Sequence, residues 1–199
     1  MKHEARDLIS EPIIKGYSYG SYVYGCATSK SDQDFIVVVD SEDENLRYSV
    51  NTEHFDFTVY SEKRFIERIE EHHISVMECI FQKPNDPYRK YFKLNSDTLR
   101  REISSVASNS FVKCRKKLRD GEDYIGKKSM FHSLRILMFG IQIAKHGEII
   151  DYGEANHLLK PIMEMEKWKD IRKYCEPIYD SLKTDFKELA PLDREKDGK

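Results

Sequence analysis

Residues 20–39 leave this chain little freedom in how it can fold. They open on Gly20-Ser21-Tyr22-Val23-Tyr24-Gly25, pass through Ser31-Asp32-Gln33-Asp34, and run directly into Phe35-Ile36-Val37-Val38-Val39. The last five residues predict a buried strand. Glycines at 20 and 25 permit a turn whose amides approach an anion closely, and a helix starting after the turn adds its positive end. The Ser21 hydroxyl can donate one more hydrogen bond to a phosphate oxygen. Side chains two apart on a strand share a face, so Asp32 and Asp34 are expected to converge at its head. Two such carboxylates repel unless a cation lies between them, and hard oxygen ligands favour magnesium, which also bridges phosphates. A phosphate-holding turn beside a metal-holding pair is the minimum needed to move a nucleotide from a triphosphate onto an acceptor.

That chemistry calls for a third carboxylate on a neighbouring strand, and His54-Phe55-Asp56-Phe57-Thr58-Val59-Tyr60 contains one. Phe55, Phe57 and Val59 fall on one face and are expected to meet the core, which puts Asp56 on the other face with His54, Thr58 and Tyr60. A calcium loop is the competing reading of Asp32-Gln33-Asp34. The third acidic ligand and the following glycine of such a loop are missing here.

The chain has 199 residues, enough for one compact unit or two small subdomains sharing a core. Charged residues make up 34% and aromatic residues 12%, which suits a folded chain rather than a disordered one. No apolar run is long enough to cross a bilayer, and the charged start Met1-Lys2-His3-Glu4-Ala5-Arg6-Asp7 has no signal segment. Cysteines 26, 79, 114 and 175 form no Cys-x-x-Cys pair, so structural zinc and disulfides are not expected, and a reducing cytoplasm is the natural setting. The net charge of −2 gives no overall attraction to nucleic acid. Locally, Lys113, Arg115, Lys116, Lys117 and Arg119 form a basic cluster, with Arg100, Arg101, Lys127 and Lys128 in the same region. The cluster fits polyphosphate or an RNA backbone, and it equally fits a solvated helix face.

Along the chain, residues 1–10 read as a short helix or lead-in and Ile13 to Tyr19 as a first strand. A short helix follows from Tyr22 to about Thr28, then strands near Asp34 to Val39, Arg47 to Val50 and around Asp56. Ser61 is a good N-cap for a helix to about His72, and a second helical piece runs from Ile74 to Gln82, before Pro84. Beyond this the pattern is helical: one helix from Asp97 to a stop at Gly121, and one from Asp123 to His146-Gly147. Two more are expected around Gly153 to Glu166 and Trp168 to Leu189, with Pro161 and Pro177 kinking or interrupting them. On the Asp123 helix an apolar stripe includes Phe131, Leu134, Met138 and Ile141. Lys128, His132 and Arg135 lie on a different face at i, i+4 and i+7. They suit a triphosphate or acceptor strand, and they also suit surface charge with one half-buried histidine. The predicted fold is α+β: a small mixed β-sheet with flanking helices, then a C-terminal helical bundle. The expected division is a catalytic core at 1–82, a helical domain at 83–190 and a frayed tail at 191–199, with the cleft between the two domains as the default substrate site.

Gly20-Ser21, Gly25, Ser31-Asp32-x-Asp34 and the later strand residue Asp56 together resemble the polymerase-beta-type nucleotidyltransferase superfamily. Two further pieces are similar to its bacterial and phage branch found with RNA-repair genes: Met77-Glu78-Cys79-Ile80-Phe81 leading to Pro84, and Lys127-Lys128 leading to His132-Ser133-Leu134-Arg135. That branch often has an aromatic residue where His132 stands. The resemblance implies that Asp32, Asp34 and Asp56 are catalytic and hold two magnesium ions, with manganese as a substitute. It implies that Gly20, Ser21, Ser31, Lys128, His132 and Arg135 bind the nucleotide, ATP or another NTP. The implied acceptor is RNA, a tRNA or an RNA end, held through the basic cluster. AMP transfer to a protein or small molecule is the alternative enzyme, and a nucleotide-binding regulator without turnover is the alternative of another class.

Overall fold

The structure is a computed structural model and describes residues 8–29 and 31–192. Most of the expected lead-in, residues 1–7, and the tail from residue 193 lie outside the described residues. The chain forms two compact units, residues 1–93 and 94–199.

The first unit is built on four strands, β1 (Ile13–Tyr19), β2 (Gln33–Val39), β3 (Arg47–Asn51) and β4 (Phe55–Ser61), in the order β1-β2-β4-β3. β1 and β3 are antiparallel to their neighbours, while β2 and β4 pair in parallel. The alternation predicted for β4 is present. Phe57 and Val59 join Phe35, Val37, Val39 and Ile9 in a buried cluster, with Leu46, Tyr48, Val50 and Phe55 packed against it. Full burial of side chains of this size is worth about 1.5–3 kcal/mol each, so this face holds the two parallel strands in register.

The opposite face is closed by α2 (Glu62–Glu70) and α3 (Ile74–Ile80). Phe65 of α2 stacks on Tyr17 of β1 at 5.6 Å and tilts against Tyr60 of β4 at 6.3 Å. Ser61 caps α2 as expected, its hydroxyl accepting from the Arg64 amide at 3.3 Å. Asp86 is buried and accepts from Lys15 at 2.5 Å, from the Tyr17 hydroxyl at 3.0 Å and from the Tyr88 amide at 3.0 Å, tying β1 to the segment after α3.

Within this unit a local expectation fails. The helix after the Gly20 turn, α1, spans only Ser21–Tyr24 rather than Tyr22 to Thr28. Gly25 adopts the left-handed conformation (φ 71, ψ 24) and ends the helix after one turn. Four residues carry little aligned dipole, so the positive helix end expected at the turn is weak.

The second unit is helical: α4 (Ser96–Arg119), α5 (Asp123–His146), α6 (Leu159–Glu164) and α7 (Trp168–Leu189). Asn95 caps α4 by accepting from the Thr98 amide at 2.9 Å. The helix expected from Gly153 to Glu166 is instead a 3-10 turn, Glu154–Leu158, followed by the short α6. α7 continues through Pro177, with Ile171, Cys175, Tyr179 and Phe186 buried. Packing along that face outweighs the one backbone hydrogen bond that proline removes. α5 packs against both α4 and α7, and is therefore buried around most of its circumference rather than along a single stripe. Among the described residues, no helix is long and apolar enough to cross a membrane.

Candidate active site

The parallel register sets the geometry of the sheet's polar end. Asp34 of β2 pairs with Asp56 of β4, and Phe35 with Phe57. Paired residues on neighbouring strands point to the same face, so the two carboxylates stand side by side. On the outer strands Tyr19 pairs with Asp34, and Asn51 pairs with Asp56. The last row that spans all four strands is therefore Tyr19, Asp34, Asp56, Asn51, with only the Gln33–Phe55 pair of the two central strands beyond it. Two residues further along, the same face holds Ile36, buried on a central strand, and its partner Tyr17, buried on the outer strand β1, whereas both aspartates remain partly accessible. A neighbouring strand row thus supplies rigidity, and the row of aspartates remains open to a ligand.

Asp32 lies just before β2 and is exposed. It is close enough for its charge to act on Asp56. Burial first, and the Asp32 carboxylate second, push Asp56 above the usual carboxylate range. The Asp32 charge reaches Asp56, but the three carboxylates are not drawn into one ligand cluster: among the described residues no group of three His, Cys, Asp or Glu side chains is placed to hold a metal ion.

Gly20 is fitted to Asp34. Its φ is +75, and a Cβ added there would lie 2.0 Å from Asp34 Oδ2 and 2.8 Å from Asp34 Cγ. The Asp34 carboxylate therefore rests directly on the glycine, in space that no other residue leaves free. Turn and carboxylate, predicted separately, are in van der Waals contact. The Asp34 carboxylate offers hard oxygen donors beside the glycine turn, the chemistry that suits a magnesium ion also meeting phosphate.

The family model for the nucleotidyltransferase domain matches residues 3–104, just over half of the chain. The chain belongs to the nucleotidyltransferase domain family. It is a nucleotidyltransferase, an enzyme that transfers nucleoside monophosphate. No curated protein matches it in sequence. Similar solved structures include spectinomycin adenyltransferase from Enterococcus faecialis with ATP and spectinomycin. That structure is 11% identical with a TM-score of 0.47, over 94% of this chain and 96% of that one. Another is a nucleotidyltransferase-like protein from Exiguobacterium sibiricum, 12% identical with a TM-score of 0.35, over 94% of this chain and 72% of that one.

The other predicted site residues of this nucleotidyltransferase fall in different settings. Ser21 is the first residue of α1, and its carbonyl accepts from the Cys26 amide at 3.0 Å. Ser31 closes a small loop: its Oγ accepts from the Thr28 amide at 2.9 Å and lies 3.3 Å from the Thr28 hydroxyl. Lys128, His132 and Arg135 sit on α5 in the second unit and are graded from exposed to buried. Lys128 is exposed, its ammonium 5.3 Å from the centre of the Tyr124 ring. Arg135 is buried, donates to His132 Nδ1 at 2.7 Å, and has its guanidinium 5.4 Å from the centre of Phe131 and 5.9 Å from that of Phe139. Burial, then the charges of Arg135 and Lys113, push His132 down to about 3. The structure thus brings His132 and Arg135 together, and turns Lys128 to the surface.

Two residues that flank the aspartate row and the turn carry no role in the sequence reading. Asn51 is placed beside Asp56 only by the β3–β4 register, which no local pattern announces. Glu78 is fully buried on α3 and accepts a short hydrogen bond from the hydroxyl of Tyr24, the last residue of α1. A single carboxylate inside the apolar run Ile74–Ile80 was the available signal, because a buried charge requires a partner. On the same side, the Tyr19 hydroxyl donates to Ser75 Oγ at 3.2 Å.

Proposed function

We propose that this nucleotidyltransferase is magnesium-dependent and moves a nucleoside monophosphate from an NTP to a hydroxyl of RNA. The observation that carries the catalytic part is the contact of the Asp34 carboxylate with Gly20, with Asp56 alongside in the parallel register. Asp32, Asp34 and Asp56 hold the metal. When bound, magnesium, with manganese as a substitute, lowers the pKa of the acceptor hydroxyl and offsets charge on the departing pyrophosphate. The Gly20-Ser21 turn holds the terminal phosphates through backbone amides and the Ser21 hydroxyl. The acceptor oxygen forms a bond to the α-phosphorus, the bond to pyrophosphate breaks, and a carboxylate oxygen of Asp56 takes the hydroxyl proton.

RNA as the acceptor is supported by the basic run from Lys113 to Arg119 on α4 and by the resemblance to the RNA-repair-associated branch. The test is incubation with each α-labelled triphosphate, magnesium, total RNA and cell lysate. Label is expected in RNA. Label confined to protein or to a small hydroxyl compound contradicts the RNA reading, and no label from any triphosphate contradicts the catalytic one.

A further inference from the structure

Five cations crowd the end of α4, and helical geometry sorts them. Val112, Arg115, Lys116 and Arg119 fall at i, i+3, i+4 and i+7 and share one stripe, while Lys113 and Lys117 fall on another. The structure makes the same division. The first four line a cavity of about 710 Å³ within the helical unit. Lys117, outside the cavity, pairs with Glu122 at 2.7 Å, and the charge of Lys113 acts on His132; of the cavity cations, Arg119 also meets the neighbouring Asp120 at 3.3 Å, an exposed pair that a phosphate can replace.

Trp168, at the start of α7, forms part of the cavity wall. Its ring is held edge-to-face by Phe111 at 6.0 Å, and Phe111 in turn packs on Tyr179 at 4.8 Å. The indole is thus braced from behind and only partly buried. Asp123 and Glu166 also reach the lining. Three cations against two carboxylates leave a small positive excess, too little to hold a polyanion by charge alone. The combination suits a ligand with phosphates for the cations, a flat ring for the indole and amino groups for the carboxylates. Nucleotides of single-stranded nucleic acid have all three, and base–aromatic stacking contributes about 1–3 kcal/mol per base. The volume lies in the range of cavities that enclose small ligands.

We infer that this cavity holds a nucleotide of a single-stranded RNA acceptor, with Arg115, Lys116 and Arg119 on its phosphates and Trp168 against its base. The inference rests on the RNA reading above. It replaces a diffuse basic run with three of its five cations.

Trp168 is the sole tryptophan of the chain, so its emission reports this site alone. The experiment titrates the full chain with oligoadenylate RNA, following tryptophan fluorescence and the anisotropy of a labelled oligonucleotide. Expected are quenching of the emission and at least tenfold weaker binding for the Arg115→Glu/Arg119→Glu variant, with a flatter dependence on salt. The matching Lys113→Glu/Lys117→Glu variant is expected to lose less than twofold, and circular dichroism checks that both remain folded. Equal losses from the two variants, or RNA binding with unchanged emission, overturn the cavity assignment. The RNA reading is judged separately by transfer of label. Label entering RNA while the cavity variants bind normally leaves that reading standing and removes the cavity; label that never enters RNA removes both.

Discussion

The aspartates of the sheet and the cations of α4 are both charged groups gathered at one place, but they are mounted differently. Asp34 and Asp56 are short side chains fixed by backbone pairing, with the Asp34 carboxylate seated on Gly20. Arg115, Lys116 and Arg119 are long side chains on one helix stripe, able to follow a ligand over several ångströms. The first arrangement suits chemistry, where a displacement of 1 Å is costly, and the second suits holding a flexible strand. Changes at the sheet should therefore act as all-or-none losses, and changes on α4 as graded ones.

The largest effect should come from Asp34→Asn. It keeps the shape of the side chain and removes its charge, so turnover with magnesium should fall at least about a thousandfold. The circular dichroism spectrum and melting temperature should stay close to those of the parent. A graded loss of only a few-fold would erase the contrast with α4.

Two glycines sharpen it further. Gly20 and Gly121 have nearly the same φ, +75 and +79, but a Cβ at Gly20 meets Asp34 at 2.0 Å whereas at Gly121 it meets nothing within 4 Å. Gly20→Ala should cost about 1–3 kcal/mol in stability and about a hundredfold in turnover. Gly121→Ala should cost about 1 kcal/mol from backbone strain alone and leave turnover unchanged. Chemical denaturation and steady-state rates measure both.

A third comparison uses pH. His132 is held neutral in the fold, its pKa pushed down to about 3 by burial and by Arg135 and Lys113, and it regains an ordinary value on unfolding. The stability tied to this neutral state is present at neutral pH and is lost as pH falls from about 6.5 toward about 3. Between about pH 7 and about pH 5 the loss should reach about 1–2 kcal/mol, and His132→Gln should remove that part of the pH dependence. An unchanged slope in the variant would show that His132 is already protonated in the folded helical unit.

An effect as small as that of Gly121→Ala is expected at the end of β4. Ser61→Ala removes the cap of α2 and should cost about 1 kcal/mol, read as a lower melting temperature with turnover retained. Loss of activity as well would mean that the strand bearing Asp56 depends on the cap for its position.

Features that could be read along the chain were those whose cause is local. The alternation of β4, the Ser61 cap, the span Asp123–His146 and the start of α7 at Trp168 all follow from spacing and end residues a few positions apart. The helix after Gly20 is shorter than its apolar pattern suggests, because Gly25 stops it after one turn. What could not be read was non-local. The chemistry called for Asp56 on a strand beside the one bearing Asp34, but the exact register that sets Asp56 opposite Asp34 and beside Asn51 joins segments whose patterns do not mention one another. The burial of Arg135 arises because α4 and α7 both pack on α5, and a periodicity of charges does not reveal how many neighbours a helix has.

The most direct test of the carboxylate site is manganese(II) uptake in the presence of a non-hydrolysable ATP analogue, followed by electron paramagnetic resonance on the parent chain and on Asp56→Asn. The parent should bind the metal tightly, and the variant should lose binding together with turnover. Equal uptake by the two chains, or turnover that survives a chelator, would contradict the assignment of Asp32, Asp34 and Asp56 as the metal site.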